Sequence, residues 1–157
     1  MKIFFYFILI LVLVYVVSFT QLSITATKIR NAGLLDGKLR ACPATPNCVS
    51  SEEPGKRSYI SPFVIKGDPD TAWLRLKEAV RETGGRLEQS DDTYLWASFR
   101  TNFWHFTDDT EFVLDKGAGI IRVRSASRVG KGDFGTNRKR VENLRKIFEK
   151  KTGGTNV

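Results

Sequence analysis

The chain has 157 residues, room for one ordinary domain and a short extension, and its 41% hydrophobic content includes an apolar N-terminal run. The formal charge of +8 sits in one place: residues 122–151 carry eleven Lys or Arg against Asp133, Glu142 and Glu149, and elsewhere the charges cancel. Two cysteines and one histidine are too few for a four-ligand zinc site, so no metal or cofactor is expected.

Lys2 is followed by fifteen consecutive apolar residues, Ile3 to Val17, and no further charge occurs before Lys28. Counted to Leu22, the run matches the roughly 20 residues that a helix needs to cross a bilayer. A cleaved signal peptide competes, but its apolar core is typically about 7–15 residues, and no clean A-x-A site follows Thr25-Ala26. An uncleaved anchor over residues 1–27 is expected. A lipid-modified Cys42 is rejected, because Arg40 is wrong for that motif and the apolar run ends far upstream.

Residues 28–57 read as a juxtamembrane linker with a cysteine loop, Cys42-Pro43-Ala44-Thr45-Pro46-Asn47-Cys48. The C-x5-C spacing is not that of a C-x-x-C redox motif. A disulfide staple is expected, with Pro43 and Pro46 restricting the open loop. Such a staple belongs in an oxidising compartment. That places the N-terminus in the cytoplasm and the domain outside, at an inner membrane with the periplasm as its surroundings. Lys2 before the span and Lys28 with Arg30 after it give only weak orientation. Ser50 and Ser51 have no local base to activate them.

The foldable domain is expected over 58–151, with a flexible tail at 152–157. Tyr59 to Lys66 reads as an edge strand, since it contains Pro62. Asp68-Pro69-Asp70 is a helix start, Ala72, Trp73, Leu76, Ala79 and Val80 form its buried stripe, and Gly84-Gly85 ends it. Four strands follow: Arg86–Gln89, Tyr94–Arg100, Thr110–Leu114 and Ile120–Ser127, the hairpin turns lying at Ser90–Thr93 and Asp115–Gly119. In the last strand Ile121 and Val123 alternate with Arg122 and Arg124, giving one apolar and one basic face. Phe103-Trp104-His105-Phe106 reads as a continued strand packed on the core, with an exposed aromatic patch as the alternative. A final helix, Asn137–Lys150, carries Val141, Leu144, Ile147 and Phe148 inward. The fold class is therefore α+β: an antiparallel sheet of about five strands with two helices on one face, preceded by the transmembrane helix.

Two groupings could carry function. Arg128 to Gly135 is a glycine-rich, cationic turn before a helix, where backbone N–H groups could meet an anion. Arg124, Arg128, Gly130, Asn137, Arg138 and Arg140 are its anion-binding candidates. The bland alternative is glycine serving turn geometry, with Asp133 or Thr136 capping the helix. The second grouping is acidic: Asp108, Asp109 and Glu111, near His105. Catalysis there would need a nucleophile, and neither G-x-S-x-G nor a calcium-loop spacing occurs. Nucleic acid is not an expected partner, since the aromatics do not interleave with the cations.

C-P-x-x-P-N-C-V-S-S at Cys42–Ser51 resembles the signature of a family of uncharacterised bacterial envelope and plant plastid proteins, catalogued as a domain of unknown function. R-S-A-S-R-x-G-x-x-D-x-G-x-N-R-x-R at Arg124–Arg140 and Asp108-Asp109-x-Glu111-Phe112 resemble it too. The resemblance covers roughly residues 39–150. It implies an envelope or lumenal domain, frequently membrane-attached, and no activity or catalytic residue. The matched polar residues Asp108, Asp109, Glu111, Arg124, Ser127, Arg128, Asn137 and Arg138 are then either a site or a buried ion-pair network. The functional expectation is a non-catalytic module binding an anionic lipid, a small anion or another envelope component. An enzyme using Asp108, Asp109 and His105, or an assembly partner of an envelope protein, stands as the alternative.

Overall fold

A computed structural model describes residues 2–28, 32–101 and 106–153. The elements in order are α1 (Lys2–Lys28), β1 (Cys48–Ser50), β2 (Phe63–Val64), α2 (Pro69–Glu82), β3 (Arg86–Ser90), β4 (Tyr94–Arg100), β5 (Thr107–Asp115), β6 (Ile120–Ser127) and α3 (Thr136–Gly153). The sheet is antiparallel and six-stranded, in the order β1-β6-β5-β4-β3, with β2 also paired to β6. The expected α+β class stands, with one strand more than anticipated.

The extra strand is β1, which lies in the stretch read as linker and loop. Cys48 pairs with Ala126 and Ser50 with Arg124. The folded unit thus begins before residue 58. The expected strand Tyr59–Lys66 shrinks to Phe63–Val64, opposite Ile121 and Ile120. Pro62 has no N–H to extend that ladder, and the Ile60 N–H is committed to the Ser50 carbonyl at 3.1 Å.

Alternation decides what each sheet face buries. Leu95, Ala97, Phe99, Phe112, Leu114, Ile121 and Val123 share one face. They pack against Trp73, Leu76 and Val80 of α2 and Val141, Leu144 and Phe148 of α3. Phe63 stands edge-on to Phe112 and to Phe148. Both helices therefore cover the same face.

The other face is covered by the chain leaving α1. Leu39 packs on Tyr94, Trp96 and Val113, with Ala32 beside them. The strap reverses at Leu35–Lys38, where Asp36 (φ 51°) and Gly37 (φ 73°) both lie in the left-handed region, as a tight hairpin turn requires. Every residue of β5 from Thr107 to Leu114 is consequently buried. In α1, Lys2–Leu22 is long and apolar enough to cross a membrane and is not buried by the protein, a form that a signal sequence shares.

Candidate functional site

Neighbouring residues on a strand point to opposite faces, so Asp108 and Asp109 diverge. On the strap side Asp109 receives a bidentate pair from Arg128, Nε to Oδ2 at 3.0 Å and Nη2 to Oδ1 at 2.8 Å. The Trp96 indole N–H donates to the same Oδ1 at 2.7 Å. Glu111 lies two residues on, opposite Arg124, whose Nη1 reaches Oε2 at 3.0 Å. Its Oε1 accepts from the Tyr94 hydroxyl at 2.8 Å and from the strap's Gly33 N–H at 2.7 Å. Burial first, then the Glu111 charge, hold the Tyr94 phenol far above its ordinary range. On the helix side Asp108 meets Arg140 at 2.5 Å, and that guanidinium lies over the Phe99 ring. Each carboxylate is thus buried with its own arginine, the arrangement in which burial of charge is tolerated.

Asn137, fully buried at the start of α3, joins these pairs to the cysteine loop. Its Oδ1 accepts from Ser125 Oγ at 2.7 Å and Arg140 Nη1 at 2.7 Å. Its Nδ2 donates to the Asn47 carbonyl at 3.1 Å, Ser127 Oγ at 3.0 Å and Asp133 Oδ2 at 2.8 Å. Asn47 in turn donates from Nδ2 to the Gly130 carbonyl at 2.7 Å. The loop carrying Asn47 is closed by the Cys42–Cys48 disulfide, with Cα atoms 5.6 Å apart.

A cleft of about 950 Å³ opens between this loop and the glycine-rich turn. Pro43, Ala44, Pro46 and Val49 line one side and Gly132 to Gly135 the other; Arg57 and Arg138 supply two cations without a carboxylate partner among the described residues, and Lys56 a third whose ammonium pairs with Glu53. The Asp133 carboxylate is already engaged: Oδ1 accepts from Gly135 N–H and Oδ2 from Asn137 N–H, each at 2.9 Å. Asp133 thus caps α3, and those two backbone donors do not face a ligand. Phe134 crowns the turn with φ 51°, fully exposed. A β-carbon in this backbone region costs about 1–2 kcal/mol.

The six anion-binding candidates separate in space. Arg124, Arg128 and Arg140 lie in the buried pairs, Asn137 is their hub, and Gly130 offers a carbonyl to Asn47. Of the six, Arg138 alone lines the cleft, where its Nη2 also holds the Arg57 and Tyr59 carbonyls at 3.1 and 2.8 Å. His105, Phe103 and Trp104 lie outside the described residues. Lys56, Arg57 and Phe134 are not among the anion-binding candidates, although Phe134 lies within the Arg128–Gly135 turn. The one available signal was an aromatic set among glycines and charges, without periodic partners.

Residues 38–148 match the family described as Protein of unknown function (DUF1499). Among curated proteins, none matches the chain.

Proposed function

The chain belongs to the DUF1499 family, and from the geometry of its cleft we propose that it is a non-catalytic binding module, anchored by α1, that takes an anionic headgroup. The cleft supports this with Arg57 and Arg138, unpaired with any carboxylate among the described residues, and with Lys56, shared with Glu53 at the rim, beside apolar Pro43, Ala44, Pro46 and Phe134. Such a surface suits a ligand with a charged head and an apolar body. Catalysis by the acidic residues is disfavoured, because Asp108 and Asp109 face opposite sides of the sheet and each is held by an arginine. The domain sits outside the cytoplasm in this reading, periplasmic in a two-membrane cell, since a disulfide persists there.

Native mass spectrometry of the full chain in a neutral detergent tests the reading. With phosphatidylglycerol or phosphatidylcholine added in equal amount, the anionic lipid is retained several-fold more. Lys56→Glu together with Arg57→Glu abolishes that preference without touching the buried pairs. A parent chain that retains neither lipid, or both equally, sinks the proposal.

A further inference from the structure

The sheet has two ends. Thr107 at the start of β5, Ser127 at the end of β6 and the cysteine loop before β1 all lie at one of them, as the register Asp108 to Ser127 and Cys48 to Ala126 requires. The Arg128 N–H donates to the Thr107 carbonyl at 3.3 Å, so the glycine-rich turn leaves the sheet at that end too. There Phe106 closes the β4–β5 connection, its carbonyl accepting from Thr101 N–H at 2.8 Å. Phe19, in the last turns of the apolar span Lys2–Leu22, lies with its ring centroid 6.3 Å from that of Phe106. A span that long places its final turn at the boundary between hydrocarbon and headgroups. The end of the sheet bearing Phe106 is therefore level with that boundary.

Phe134 stands at this same end, fully exposed. Among the described residues Lys131 and Lys139, on the same turn and the start of α3, have no carboxylate partner. An exposed aromatic flanked by lysines is unfavourable in water and favourable at an anionic interface, where the ring is buried and the cations meet headgroups. We infer that the glycine-rich turn is a second membrane contact: Phe134 dips into the headgroup layer of the bilayer that α1 crosses, with Lys131 and Lys139 on anionic lipid. This rests on α1 being retained as an anchor, and it names the bilayer surface as the anionic component beside the cleft. The left-handed backbone at Phe134 is consistent with a turn shaped to present that ring outward.

The test uses the full chain reconstituted in vesicles of equal parts phosphatidylglycerol and phosphatidylcholine. Flotation after an alkaline wash reports anchoring. A nitroxide is then attached at Phe134→Cys, or at Ala118→Cys in the exposed β5–β6 turn, which lies about 25 Å away along the extended strand. The ratio of collision with oxygen to collision with a water-soluble nickel chelate is expected to be several-fold higher at position 134. In vesicles of phosphatidylcholine alone the difference shrinks. A chain that the wash removes overturns the anchor and this inference with it. A retained chain with equal ratios at the two positions overturns this inference only. A ratio at 134 indifferent to phosphatidylglycerol overturns the part given to the lysines. Since Phe134 contacts nothing that the fold needs, its replacement leaves the domain intact.

Discussion

Asp109 and Glu111 have side chains with no solvent exposure, and each survives burial because a guanidinium and a neutral donor share its oxygens. Their partners could not be assigned by inspection of D-D-x-E and the arginine run. Register makes the choice: Arg124 is directly opposite Glu111, and Arg128 reaches Asp109 from beyond the end of β6. Asp108, one residue away but on the reverse face, is left for Arg140 of α3. The most consequential side chain is the neutral Asn137, whose amide donates to three acceptors on three segments. Asn137→Asp keeps its size but removes those donors and sets a second carboxylate beside Asp133. The substitution is expected to cost about 3 kcal/mol of unfolding free energy, since three buried hydrogen bonds are lost at about 1 kcal/mol each and the new carboxylate oxygen faces that of Asp133. Denaturant unfolding of the full chain in detergent checks this, and a loss well under about 1 kcal/mol would mean that the network tolerates losing its hub.

Helix α2 begins and ends where local chemistry says it should. Asp68 accepts from the Thr71 N–H and hydroxyl, both at 2.7 Å, and those bonds hold its carboxyl below the ordinary range. At the other end the Gly84 and Gly85 N–H groups donate to the Arg81 and Val80 carbonyls at 3.0 and 2.8 Å, closing a Schellman motif. Gly84 takes φ 83°, which explains that glycine. Gly85 has a different reason: a β-carbon there would sit 2.6 Å from Phe99 Cζ and 2.7 Å from Val80 Cγ1. Gly85→Ala is expected to lower stability by about 1–3 kcal/mol through overpacking, read as a fall in the thermal midpoint. A Phe99→Leu background should recover part of it. Strand β1 escaped notice because Cys48–Ser50 is too short to show alternation, and its partner lies far along the chain.

For the whole molecule, the charge excess near the C-terminus divides into cations the fold consumes and cations it displays. Arg122, Arg124, Arg128, Arg140, Arg145 and Lys151 pair with carboxylates, Lys146 and Lys150 lie farther along α3, and Lys131, Arg138 and Lys139 lie on or just after the glycine-rich turn. The disulfide bears on that same end, because its loop positions Asn47 against Gly130 and Asn137. Replacing both cysteines by serine is expected to cost about 2 kcal/mol from loop entropy. Amide exchange should quicken first at Ser127, whose N–H donates to Asn47, and spare α2, which is remote from the loop. Uniform acceleration across the domain would instead make the disulfide a global staple with no special hold on this end. The apolar helix, α2, α3 and three of the four long strands followed from local signals, namely periodicity, caps and turn residues, which act over a few positions and leave their mark in a short window. The fourth, β5, starts three residues earlier than expected, because polar Thr107 to Asp109 are held in the sheet by arginines. The cleft, the pairing of each acid with its arginine and the covering of the second sheet face were decided only by tertiary structure. They join residues as distant as Asn47 and Asn137, and strand register, helix packing and the strap's course are properties of the folded whole.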